Sequence, residues 1–334
     1  MKYIFIPTGG GLDQIQMGDK QDPQPKADEV LVRWHATSLN FHDYLVATGG
    51  IPVQEGRIPM SDGAGEVISV GADVRRFKAG DKVMSLFFPN WIDGNPSFQK
   101  TIGISGETLD GYITEMSCIS QESLTLMPEG FTYAEAATLP CAGLTAWRGL
   151  FVEGNLQPGQ KVLIEGTGGV SIFAMQLAQM AGASVYATTS SEAKAEKLTQ
   201  MGAKAVINYK EDERWGKTIF KITEGGVDQV IDVGGGSTMK QSIEAACIGG
   251  HISSIGILGG GRKGEITFPK LFFKHLRMTG LAVGNRVMQE QMVAAINQSD
   301  MKPMIDKSFS MDQLGDAFRH QEAGKHFGKI VVEY

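Results

Sequence analysis

Cysteine is scarce in this chain: Cys118, Cys141 and Cys247 stand far apart among 334 residues. The number is odd and no C-x-x-C pair occurs. That excludes a disulfide framework and reads as reduced thiols in a cytoplasmic protein. Long apolar runs are missing too. No stretch approaches the ~20 apolar residues of a membrane span, and Tyr3-Ile4-Phe5-Ile6 meets Pro7 and Gly9-Gly10 too early for a signal core. Positive charge is in deficit, with a formal net charge of -6, so a nucleic-acid surface with its basic stripe is not expected. These absences point to a soluble protein without nucleic-acid or membrane partners.

Glycine, by contrast, is plentiful at 43 residues, gathered in short turns. The length exceeds the roughly 250–300 residues of a single core, so two domains are expected. In the first ~125 residues, short β-like runs such as Val30–Trp34, Gly65–Val70 and Asp81–Leu86 alternate with turn signals. They read as a barrel-like all-β module. Segments 131–139 and 143–151 look helical. From Gln160 the rhythm becomes strand, helix, strand, with strands near 162–164, 184–188, 205–207, 229–233 and 251–256. That alternation implies a doubly wound parallel sheet. The closing run Lys329-Ile330-Val331-Val332 reads as a strand returning to the first domain.

The central motif is Gly166-Thr167-Gly168-Gly169-Val170, preceded by the apolar run Val162–Ile164 and followed by a helix-like segment. A strand entering a glycine turn before a helix can cradle a pyrophosphate on free N–H groups. Ser171 stands where a third glycine usually does. The second strand of this module ends in Thr189-Ser190-Ser191, without the acidic residue that binds a ribose diol in NAD sites. Hydroxyls and a cation, here Ser190 and Lys194, suit the 2′-phosphate of NADP(H). Alternatively, Lys194 is a solvated helix residue and Glu192 holds the ribose.

Four segments together resemble one family, the medium-chain dehydrogenase/reductases. They are Gly63-Ala64-Gly65-Glu66-Val67 with Val70-Gly71, Phe77-x-x-Gly80-Asp81-x-Val83, Gly159-x-x-Val162, and the central glycine loop. The resemblance implies an α/β fold with an N-terminal GroES-like β-barrel domain over 1–125 and the return 300–334. A Rossmann domain would span 126–299, with a nicotinamide cofactor in the cleft between domains. Zinc-binding relatives carry ligands at positions matching Asn40, Ser61 and Cys141. A catalytic zinc needs about three protein ligands, and only Cys141 is of a ligating type, so no metal is expected. His42 with Asp43, or Asp62, is the other arrangement considered for a metal.

The resemblance also implies site residues. Asn40 and Thr145 fall near the nicotinamide in similar enzymes, although Asn40 can be a turn former, while Asp43 is a proton-relay candidate or a cap of the helix-like segment 44–48. His42 beside Asp43 is a second relay candidate, and Tyr44 a donor to a developing enolate. Tyr209 would add a 2′-phosphate contact. Gly256, Ile257, Val283 and Asn285 match loops at the nicotinamide end or are plain strand-end turns, and Lys329 either reaches the cofactor cleft or is an exposed strand lysine. The aromatics Phe87, Phe88, Trp91, Phe272 and Phe273 read as core before pocket. Without a Lewis acid, reduction of an activated C=C or a quinone is easier than interconversion of simple alcohols and ketones. The expectation is an NADPH-dependent, zinc-independent oxidoreductase, a homodimer, acting on a small carbonyl, enone or quinone substrate. An alcohol dehydrogenase of the same superfamily and a non-catalytic NADPH-binding protein are the alternatives.

Overall fold

A computed structural model describes residues 1–260 and 263–334. They divide into two compact units, Met1–Leu144 with Val283–Tyr334, and Thr145–Ala282.

The first unit is built on the long strand Glu29–Ser38, whose β-branched and aromatic residues suit a sheet interior. In the sheet path, Ile305–Ser310, Lys329–Glu333, Glu29–Ser38, Ala64–Val70, Lys82–Ser85 and Leu124–Leu126 are successive neighbours, and Met116–Ser120 pairs with Glu29–Ser38 off that path. Gly65 is needed here, because a Cβ would lie 2.2 Å from the Arg33 carbonyl oxygen. Val30, Val32, Trp34, Val67 and Tyr112 share one buried cluster. The chain's end does return: Lys329–Glu333 pairs antiparallel with Glu29–Ser38, Val331 opposite Ser38 and Val332 opposite Thr37. Ile330 and Val332 then share a core with Ile4, Leu39 and Ile58. That register sets Lys329 against the turn after Ser38.

The unit boundaries fall at 144/145 and 282/283, not at 125/126 and 299/300. Two helices account for the difference. Tyr133–Ala136 stays with the first unit, the Tyr133 ring 4.3 Å from that of His35. Arg286–Ile296 is tied there through Gln289, whose Nε2 donates to Ser85 O at 3.0 Å and Thr125 Oγ1 at 2.7 Å.

The second unit is a six-stranded parallel sheet, ordered Ala205–Asn208, Ser184–Thr189, Lys161–Glu165, Val227–Asp232, Ala246–Ser254 and Arg277–Gly280. Along the chain this is third, second, first, fourth, fifth, sixth. The order reverses beside Lys161–Glu165, and ligands of doubly wound sheets bind outside the strand ends at such a switch point. Val162, Leu163 and Ile164 are fully buried, as a strand covered on both faces requires.

Candidate functional site

In the first unit a polar cluster forms where the Glu29–Ser38 strand turns into the short helix Phe41–Ala47. Asp43 braces the turn, its carboxylate accepting from Asn40 N at 2.9 Å and Ser61 N at 2.8 Å. Asn40, 7 % exposed, donates from Nδ2 to Asp62 Oδ2 at 2.9 Å and Ser61 Oγ at 3.2 Å. Ser38 Oγ donates to the same Asp62 oxygen at 3.0 Å. Lys329 enters from the returning strand, and its Nζ donates to Leu39 O at 2.7 Å and Asn40 Oδ1 at 2.6 Å. Burial pushes the Asp62 carboxyl up to about 7; Lys329 opposes the shift and Asp43 adds to it. Burial also works against a charged His42. Asp43, and Glu107 with its Oε2 2.7 Å from Nε2, outweigh it and raise the ring to about 9. Cys141, on a wide helical turn over Leu139–Gly143, is held as a thiol by burial and by the Asp62 charge.

In the second unit the glycine loop joins the Lys161–Glu165 strand to the helix Gly169–Met180. Gly166 has φ +72°, which glycine adopts freely. At Gly168, the helix N-cap, an added Cβ would meet nothing within 4 Å, and no side chain caps the helix. Open space over free N–H groups fits an incoming phosphate. Ser171 serves in place of the third glycine because it is small and its Oγ donates to Glu165 O at 2.7 Å.

Two domain-family models match the chain: an alcohol dehydrogenase GroES-like domain over residues 26–129 and a zinc-binding dehydrogenase domain over 169–298. A zinc-type alcohol dehydrogenase-like protein of Schizosaccharomyces pombe is 38% identical, the alignment covering 100% of this chain and 99% of that one. The chain belongs to the medium-chain dehydrogenase/reductase superfamily. An acryloyl-coenzyme A reductase of Sulfurisphaera tokodaii is 28% identical over 100% of both chains. The solved quinone oxidoreductase of Coxiella burnetii superposes with a TM-score of 0.80 at 28% identity, over 100% of this chain and 99% of that one.

Members of this superfamily bind a nicotinamide cofactor, and the glycine loop has the open, uncapped form such a ligand needs. Around the loop, Thr189 ends its strand and its main-chain oxygen accepts a 3.0 Å bond from Tyr209 N. Ser190 follows, and Lys194 sits in the first turn of the helix Glu192–Gln200. Gly256 and Ile257 lie beyond the Ala246–Ser254 strand, near Gly235. Thr145 is buried at the start of the unit.

The structure brings Asn40, Asp43 and Lys329 together in one cluster. Both Asp43 oxygens are engaged by backbone N–H groups, which is the bracing role of a helix cap. Asn285 caps its own helix, accepting from Met288 N at 2.9 Å and donating to Gly94 O at 3.2 Å. Val283 sits beside it in the left-handed region at φ +48°, a strained conformation for a β-branched residue. Phe87, Phe88 and Trp91 are core, whereas Phe272 and Phe273 are 60 % and 70 % exposed on the short helix Phe268–Phe273. Tyr44 donates to Glu322 at the surface instead of lining the cluster.

A zinc ion does not fit the cluster. Cys141 is the single thiol, Asn40 and Ser61 offer neutral oxygens already engaged, and an ammonium stands among them. Among the described residues no group of three or more His, Cys, Asp or Glu is arranged to hold a metal. Asp62, named from the sequence as a candidate metal ligand, is instead the hub of the cluster, bonded to Ser38 and Asn40, and one further feature escaped the sequence. Glu165, Asp232 and Ser242 form a second buried network, Ser242 Oγ lying 2.6 Å from Glu165 Oε1 and 2.8 Å from Asp232 Oδ2. Nothing in the linear pattern signals that meeting of three strand and helix positions.

Proposed function

We propose that this chain is an NADPH-dependent, zinc-independent reductase that passes hydride to a quinone or an α,β-unsaturated carbonyl compound. The observation that carries the reading is the cluster around Asn40 and Asp62, whose cation is a lysine and whose donors are amide, hydroxyl and carboxyl groups. Such a cluster lacks the Lewis acid that an alkoxide of a simple alcohol requires. It suits charge that is already delocalised, which oriented dipoles stabilise. The likeness to an acryloyl-coenzyme A reductase and to a quinone oxidoreductase points the same way.

The bound nicotinamide would supply hydride from its C4. The protein's own part is positioning. Gly166–Val170 hold the pyrophosphate, and Ser190, Lys194 and Tyr209 favour the 2′-phosphate over a bare ribose. Asn40, its amide engaged by Asp62, Ser61 and Lys329, holds its cluster in place, and Thr145 is the side chain assigned to the substrate carbonyl. The proton comes from water or a hydroxyl. The working form is proposed to be a cytoplasmic homodimer.

NADPH and NADH oxidation with a panel of quinones, enones and simple ketones, with and without EDTA, tests this reading. Turnover of quinones or enones that prefers NADPH and ignores EDTA is the expected result. Ketone reduction abolished by EDTA would overturn it in favour of a zinc-dependent alcohol dehydrogenase. Tight NADPH binding without turnover would favour a binding protein.

A further inference from the structure

Lys329 opens the Lys329–Glu333 strand and turns its side chain inward, leaving 3 % of the residue exposed. Burying a lysine is rare unless the charge is matched. Here three oxygens face the ammonium: Leu39 O at 2.7 Å, Asn40 Oδ1 at 2.6 Å and Asp62 Oδ2 at 3.9 Å. A main-chain carbonyl, an amide carbonyl and a carboxylate are the donor set of a hard cation. The chain supplies that cation itself.

We propose that the Lys329 ammonium is the resident cation of this cluster, standing among the residues that align with the zinc ligands of metal-binding relatives, and that it positions Asn40 and Asp62. The reason is directional. An ammonium only donates, so the Asn40 oxygen must face it, and Nδ2 is thereby turned to Asp62 and Ser61. The two buried carboxylates, Asp43 and Asp62, are then answered by His42 on one side and Lys329 on the other. A divalent ion placed beside the ammonium would meet like-charge repulsion at close range. This deepens the metal-independent reading proposed above, but its test reads stability and so stands apart from any failure of enone or quinone turnover.

The test uses the full-length chain. Lys329→Ala removes three methylene groups and the ammonium, and should lower Tm by about 10 °C because it leaves a buried carboxylate unmatched. Propylammonium chloride replaces what was lost and should restore Tm saturably. 1-Propanol, of the same length without the charge, should not. If Lys329→Ala does not fold, Lys329→Met and its combination with Asp62→Asn decide, since removing the unmatched carboxylate should raise the Tm of the single variant. Equal rescue by propanol would overturn the proposal. So would additive losses in the double variant, or a wild-type Tm lowered by EDTA and restored by zinc.

Discussion

Replacing Glu165 by Gln should change how the stability of this protein depends on pH. Ser242 Oγ has one proton, yet it lies 2.6 Å from Glu165 Oε1 and 2.8 Å from Asp232 Oδ2. If both carboxyls were ionised, one of these contacts would press two unshared oxygens together. The pair therefore keeps a proton. Asp232 Oδ1 accepts from Gly235 N at 2.8 Å and Thr238 Oγ1 at 2.9 Å, which favours its charge. Burial is deepest at Glu165, so the proton belongs on its Oε1, which donates to Ser242 Oγ while Ser242 donates to Asp232 Oδ2. Burial first, and the Asp232 charge second, push the Glu165 carboxyl up to about 8.

A raised acid is protonated when folded and ionised when unfolded between its two pKa values. The native state then binds the extra proton, and stability falls as pH rises, at most about 1.4 kcal/mol per pH unit for one group. The window runs from the ordinary carboxyl range near 4.5 to about 8, and the loss is complete above it. The Gln variant keeps the contact, its amide donating to Ser242, but has no proton to lose. Between pH 5 and 7 the stability difference should therefore move by about 2 kcal/mol in favour of Glu165→Gln. Urea unfolding of both full-length proteins across pH 5 to 9 measures this. Asp62 and His42 titrate in the same range but are common to both and cancel. Infrared spectra at pH 7 give a direct check, since the protonated-acid carbonyl band should lose the Glu165 contribution in the variant and keep that of Asp62. Parallel stability curves together with an unchanged band would refute the shared proton. An ionised Glu165 would also lie one residue before Gly166, so NADPH affinity should decline above pH 8 in the wild type alone.

Gly168→Val should fold normally, since a Cβ meets nothing there, yet weaken NADPH binding at least about tenfold by filling the phosphate space; an unchanged Kd in calorimetry would move the cofactor elsewhere. Ser190→Asp sets a carboxylate against the proposed 2′-phosphate and should raise KM for NADPH roughly 10-fold or more while sparing NADH, and equal effects on both would remove Ser190 from that contact. His42 has a raised pKa, so its pairing with Asp43 and Glu107 stabilises fully below pH 6.5 and is lost as pH rises through about 9. His42→Gln should accordingly lose stability at pH 6 and little at pH 10, by thermal melting; a pH-independent loss would point to packing alone.

Much of the fold was legible because it rests on local signals. The apolar run into Gly166 and the open helix start at Gly168 need only neighbours in sequence, and the structure has both. The closing strand was legible too, since Ile330-Val331-Val332 is a local β-branched run. The unit boundaries were not. Tyr133 stacking on His35 and Gln289 reaching Ser85 and Thr125 assign helices that look the same in either domain. Phe272 and Phe273 read as core from composition, but exposure depends on which helix face the sheet covers.

By itself the sequence determined the class of the protein: few cysteines, no membrane-length run, and a glycine turn between strand and helix whose backbone freedom is chemical and local. Tertiary structure alone decided what Lys329 and Asp62 do. They are 267 positions apart, and only the antiparallel pairing of the last strand with Glu29–Ser38 sets the ammonium beside Asn40. The same holds for the proton between Glu165 and Asp232, because a buried charge takes its state from the dielectric and donors around it, which no local spacing encodes.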